Sequence, residues 1–221
     1  MLTYSYRPAV RTFATALLLC SGPHVFAGTV TEARLTGQPL QYMEGGTITG
    51  CGVRIVGIPN PVSGTGAVKI FDVSFNVVNP AGGLVKGGLT AVPMQAFLAQ
   101  DLARGTEVPI KNVWLKAPGS PATTPLAGGP LAAQTHKHAL MYVTSLESVL
   151  SLVTAVQEGK QVQIGFRVKK EDLDSVFFGR VLLSESEAAQ FAQCFLEWSD
   201  ALRHRMESFR TEAEPASATT K

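Results

Sequence analysis

Phe71, Val73, Phe75 and Val77 alternate with Asp72, Ser74 and Asn76, and this period of two constrains the fold more than any other stretch. Successive side chains of a strand point to opposite faces, so the pattern describes a strand with one buried and one wet side. Asn79-Pro80-Ala81-Gly82-Gly83 follows and reads as a hairpin loop. Leu84 to Ala91 then returns antiparallel, and Gly87 and Gly88 within it mark a bulge or a close backbone approach. Upstream, Cys51-Gly-Val-Arg-Ile-Val-Gly-Ile is a β-branched run between Gly50 and Pro59. The region from about Thr29 to Leu115 is therefore strand-rich.

One helix is expected inside that region. Pro93 suits a first helical position, Met94, Phe97, Leu98 and Leu102 share a face, and Gly105 suits the end. Val108 to Leu115 resumes as a strand. Residues 117–135 are rich in Pro, Ala, Gly, Ser and Thr without a sustained period, which reads as an exposed loop.

The second half mixes both periods. Ala139 to Val143 is a short strand. Thr144-Ser-Leu-Glu147 resembles a capping box, and Leu146, Val149, Leu150, Val153 and Val156 form a helical stripe up to Gly159. Val162, Ile164, Phe166 and Val168 alternate again, and Ser175 to Leu183 forms the hairpin partner. Ser184-Glu-Ser-Glu187 is a second capping box. Beyond it Phe191, Phe195, Trp198, Leu202, Met206 and Phe209 recur at helical spacing, with Cys194 beside the stripe. The expected class is α+β: a mainly antiparallel sheet or sandwich with two or three helices, the C-terminal one packed on the sheet.

The N-terminus bears on compartment. Arg7 and Arg11 precede the apolar run Phe13 to Leu19, and Val25-Phe26-Ala27 has the form of a cleavage site. The expected organisation is a signal peptide over 1–27, one exported β-rich domain over 28–211 and a disordered tail over 212–221. No later apolar stretch is long enough to span a bilayer, so no membrane span is expected after cleavage. Loss of Arg7 and Arg11 brings the basic residues level with the 17 acidic ones. That balance gives no electrostatic case for nucleic acid. Of the three cysteines, Cys20 falls in the leader, leaving Cys51 and Cys194 as a pair in an oxidising compartment. A Cys51–Cys194 disulfide would close a long loop, with a chain-entropy contribution of roughly 4–5 kcal/mol.

Candidate chemistry is sparse. His136 and His138 are spaced to face one side of a strand and are the metal-ligand candidates, but two histidines are not a complete ligand set. His204 is the other histidine beyond the leader, on the last helix; Glu32, Glu44 and Asp72 are possible carboxylate partners. Ser63 lies in the turn sequence Pro61-Val-Ser-Gly-Thr-Gly66, with no elbow motif around it. Gly82-Gly-Leu-Val-Lys-Gly-Gly88 lacks the P-loop spacing. Asp72, Ser74 and Asn76, with Arg167 on another strand, form a candidate binding face.

No catalytic residue and no cofactor is implied. The reading that follows is an exported, periplasmic or secreted, non-enzymatic binding or assembly protein of the cell envelope. It would meet an envelope or secreted protein partner through sheet edges open to β-augmentation. The alternatives are a metal-dependent or serine hydrolase built on the His136/His138 loop, and a periplasmic carrier of a small ligand.

Overall fold

The computed structural model describes residues 27–60, 66–78, 82–126, 129–132 and 138–212. Residues 1–26 of the expected signal peptide, the 61–65 turn with Ser63, the 79–81 loop, His136 and the tail from 213 onward lie outside the described residues.

The first four strands are long: β1 (Ala27–Glu44), β2 (Thr47–Pro59), β3 (Ala67–Val78) and β4 (Gly82–Pro93). After them come α1 (Met94–Leu98), a 3-10 turn over Leu102–Arg104, β5 (Thr106–Val108), β6 (Ile110–Lys116) and β7 (Leu131–Ala132). The chain ends with β8 (Leu140–Thr144), α2 (Leu146–Gln157), β9 (Gln161–Val168), β10 (Asp174–Leu182) and α3 (Glu185–Glu212). The strands join in the order β6–β9–β10–β1–β2–β3–β4–β8–β7, with β5 alongside β4. Every pairing is antiparallel except β1 with β10. The class is α+β, and α3 packs on the sheet as its aromatic stripe requires.

The alternation in β3 sets the inside of this sheet. Phe71, Val73, Phe75 and Val77 are fully buried, and the register sets Leu89, Gly87, Val85 and Gly83 beside them on the same face. Phe71 meets Phe166 of β9 and Phe177 of β10, with ring centroids 5.7 and 4.7 Å away. Two halves of one curled sheet therefore share one apolar interior. Gly87 is the close approach that its sequence suggests: a Cβ there would stand 2.8 Å from Val113 of β6.

The curl is closed by a loop. Leu115 of β6 donates its N–H to Thr123 Oγ1 at 2.9 Å and accepts from Thr123 N–H at 2.8 Å. Thr123 Oγ1 also meets Tyr142 Oη of β8 at 2.7 Å, and Leu126 N–H reaches Val143 O at 2.9 Å. Residues 117–126 thus fill the seam between the outer edges of β6 and β8, and Thr123 is buried. An open edge exposes unpaired backbone groups, and this loop supplies partners for those of Leu115 and for the Val143 carbonyl. The loop is largely exposed, as expected, but its buried Thr123 ties it to Leu115 of β6 and Tyr142 of β8.

The long strands extend past the short ones, and helices cover the overhang. Pairing of β1 with β10 ends at Thr36, so β1 beyond it is an edge where Pro39 is tolerated. β10 ends nearby, and α3 continues over β1 and β2. Phe191, Cys194 and Trp198 are buried there, and Cys194 is disulfide-bonded to Cys51 of β2 with the Cα atoms 5.9 Å apart. α2 covers the ends of β3 and β4, with Val149 against Gly83.

The capping signals of the sequence mostly act where they stand. Ser184 and Glu187 form the reciprocal box: Glu187 N–H donates to Ser184 Oγ, and Ser184 N–H to Glu187 Oε2. These hydrogen bonds hold the Glu187 carboxyl below its ordinary pKa. At α2 the cap is one residue later than expected. Ser145 accepts from Ser148 N–H, while Thr144 ends β8 and is buried. The helix expected from Pro93 to Gly105 is broken: Gln100 adopts φ 58°, and Leu98 and Leu102 are exposed. Two short pieces result because the stripe has no surface to cover it. The strand expected from Val108 to Leu115 is split at Pro109, which has no N–H to donate. β5 pairs with β4 and β6 crosses to β9.

Candidate functional site

The outer face of the long strands carries the polar residues of β3, and the register sets their neighbours. Asp72 lies opposite Val56 and Gly88, and Ser74 opposite Arg54 and Lys86. Diagonal neighbours on one face lie within reach of long side chains. Arg54 accordingly crosses to Asp72 and binds it through two nitrogens: Nε to Oδ1 at 2.9 Å and Nη2 to Oδ2 at 2.5 Å. This hydrogen bonding, and then the Asp72 charge, raise the Arg54 pKa. Both side chains are nearly half exposed.

Around this pair is a concavity of about 380 Å³. Ser74 and Lys86 lie on its wall with the ion pair, and Glu107 of β5 and His138 beside β8 approach from the far side. Leu40 and Tyr42 of β1 close the other flank, and partial burial raises the Tyr42 pKa. The site therefore holds charges of both signs beside apolar surface.

The expected site residues separate into groups. Asp72, Ser74 and His138 come together in this concavity. Asn76 does not line it: the side chain is 1 % exposed, lies over Gly52, and its Oδ1 lacks a hydrogen-bond partner among the described residues. The polar side of β3 is thus wet at Asp72 and buried at Ser74 and Asn76, because a glycine on β2 lets Asn76 lie flat against the sheet. Arg167 is four strands from β3 and donates to Asp174 at 2.6 Å, while Trp114 Nε1 donates to the same carboxylate at 2.8 Å. Trp114 lies over Gly165, and this cluster is on another part of the sheet from the concavity. Sequence reasoning missed Arg54, Lys86 and Glu107. Arg54 alternates with Val53 and Ile55, which marks its face but not its partner.

Chemically, the site can bind and orient. Among the described residues no hydrogen bond joins Ser74 to His138, and no group of three His, Cys, Asp or Glu side chains gathers as a metal site. His136 lies outside the described residues, and His204 on α3 bonds Asp200 O. No helix among the described residues is long and apolar enough to cross a membrane. No protein-family model, curated protein or solved structure matches this chain.

Proposed function

We propose that this chain is an exported, non-enzymatic binding protein of the cell envelope whose recognition face is the Arg54–Asp72 concavity. The observation that carries the proposal is the concavity itself: about 380 Å³, with a fixed guanidinium–carboxylate pair beside apolar surface. Pockets for small molecules combine such surface with a few placed polar groups. A compact polar ligand bearing both charges, or a neutral one rich in hydroxyls, suits Arg54, Lys86, Asp72 and Glu107. The leader-like N-terminus and the Cys51–Cys194 disulfide support export.

Native mass spectrometry of gently purified protein tests the proposal. A stoichiometric small-molecule adduct, absent from a Thr90→Trp variant that fills the concavity, is the expected result. A wild-type protein without adduct, or an adduct that survives Thr90→Trp, would count against it. A hydrolytic reading is supported by the presence of Ser74 and His138 in one concavity. It requires ester turnover that Ser74→Ala abolishes.

A further inference from the structure

A second concavity, of about 740 Å³, lies lower on the outer face where β1 meets β10. The parallel register sets Glu32 beside Phe178 and Leu35 beside Val181, which places Arg34 beside Arg180. On the flanks, Ile58 of β2 pairs with Arg34 and Gln161 of β9 pairs with Arg180. One row therefore runs Ile58–Arg34–Arg180–Gln161 across four strands. Neighbouring strands lie about 4.8 Å apart, so two guanidinium groups start from adjacent backbones on one face.

Like charges directly opposite one another destabilise a sheet. The usual remedy is a carboxylate between them. Among the described residues neither Arg34 nor Arg180 has a carboxylate within salt-bridge distance, although Arg54 and Arg167 each do. Glu32 lines the same concavity but forms no ion pair with them. Its carbonyl accepts from Asn60 N–H at 2.7 Å, which holds Asn60 at the rim. Phe97 of α1 and the exposed Leu182 of β10 give the concavity an apolar side.

We propose that Arg34 and Arg180 form a binding site for a doubly charged oxyanion of the phosphoryl class, as free phosphate or a phosphate monoester. Guanidinium forks match the geometry of phosphoryl oxygens, and one dianion neutralises two adjacent arginines. The Asn60 and Gln161 amides supply further donors, and Phe97 and Leu182 give an ester substituent an apolar surface. Glu32 selects against ligands with a second anionic group and accepts a hydroxyl. The site is separate from the Arg54–Asp72 concavity and does not depend on what that one binds.

The test is isothermal titration with inorganic phosphate and with phenyl phosphate, in chloride of matched ionic strength. Thermal melting in low-millimolar phosphate, where general salting effects are small, is the second readout. Wild type binds both ligands and melts higher with phosphate than without. Arg34→Gln and Arg180→Gln weaken binding by about tenfold or more and lose the phosphate-induced rise. Each melts at or above wild type in chloride alone, because the repulsion is gone. Arg34→Lys keeps the charge, loses the fork and retains part of the response. Tighter binding of phenyl phosphate assigns the ester as ligand, and equal binding assigns the free anion. Identical melting of wild type in phosphate and chloride, or an unchanged response in both Gln variants, overturns the proposal.

Discussion

Phe71, Val73, Phe75 and Val77 on the inner face of β3 are all at most 1 % exposed, whereas the outer-face residues Asp72, Ser74 and Asn76 have three different environments. The inner face meets strands from the far half of the sheet, so every position on it has the same task of excluding water. The outer face has no such common task, and each position is set by its own neighbour on the adjoining strands. Asp72 is held by Arg54, Ser74 is part of a wall, and Asn76 is buried over a glycine. One strand thus carries a collective surface and an individual one. Stability should be concentrated on the first and recognition on the second.

The largest expected effect follows from the inner face. Phe75→Ala opens a cavity among fully buried neighbours and should cost about 3–5 kcal/mol in denaturant unfolding. Ser74→Ala, one position away, should cost under about 1 kcal/mol. Similar losses at both positions would erase the distinction between the faces.

The overhanging end of the inner face depends on a covalent tie. Cys51→Ala or Cys194→Ala should each lower stability by about 2–4 kcal/mol, and the double substitution should add little more. Additive losses in thermal melting would mean that packing of Phe191 and Trp198, rather than the bond, holds α3 in place.

The seam gives a pH-dependent effect. Burial pushes the Tyr142 phenol up to about 12, partly offset by its hydrogen bond with Thr123. In the unfolded chain the same group titrates near 10. Between those values the folded state holds the proton and the unfolded state does not, so stability falls as pH rises through that window. The fall should be of order 2–3 kcal/mol and absent from Tyr142→Phe, as melting at neutral and strongly alkaline pH would reveal. An equal alkaline loss in Tyr142→Phe would place its cause away from the seam.

What the sequence made legible follows the same division. Periods of two and of 3.6 report which side of an element meets the interior, so β3, β9, β10, α2, α3 and the cysteine pair were readable. The closure at Thr123 was not, because a single buried threonine in a Pro/Gly-rich stretch carries no period. Nor was the break at Gln100, since Leu98 and Leu102 keep helical spacing whether or not anything covers them. At the site, Asp72 and Ser74 were visible as the polar side of a strand. Their companions Arg54, Lys86 and Glu107 come from three other strands, and only sheet order and register bring them together. Arg167 was grouped with them by charge and strand character alone, and it lies four strands away.

The smallest expected change in stability tests the individual face most sharply. Asp72→Asn removes the carboxylate charge that Arg54 binds through two nitrogens. Because both side chains are nearly half exposed, water screens much of their attraction, and the loss should stay under about 1 kcal/mol. The concavity would change far more than the fold: its net charge rises by one and Arg54 is freed to turn. Melting should therefore be nearly unchanged while the wild-type adduct in native mass spectrometry is lost or exchanged for a more anionic one. A large drop in melting temperature would make the Arg54–Asp72 pair part of what holds β2 to β3, and the outer face would then share the task of the inner one.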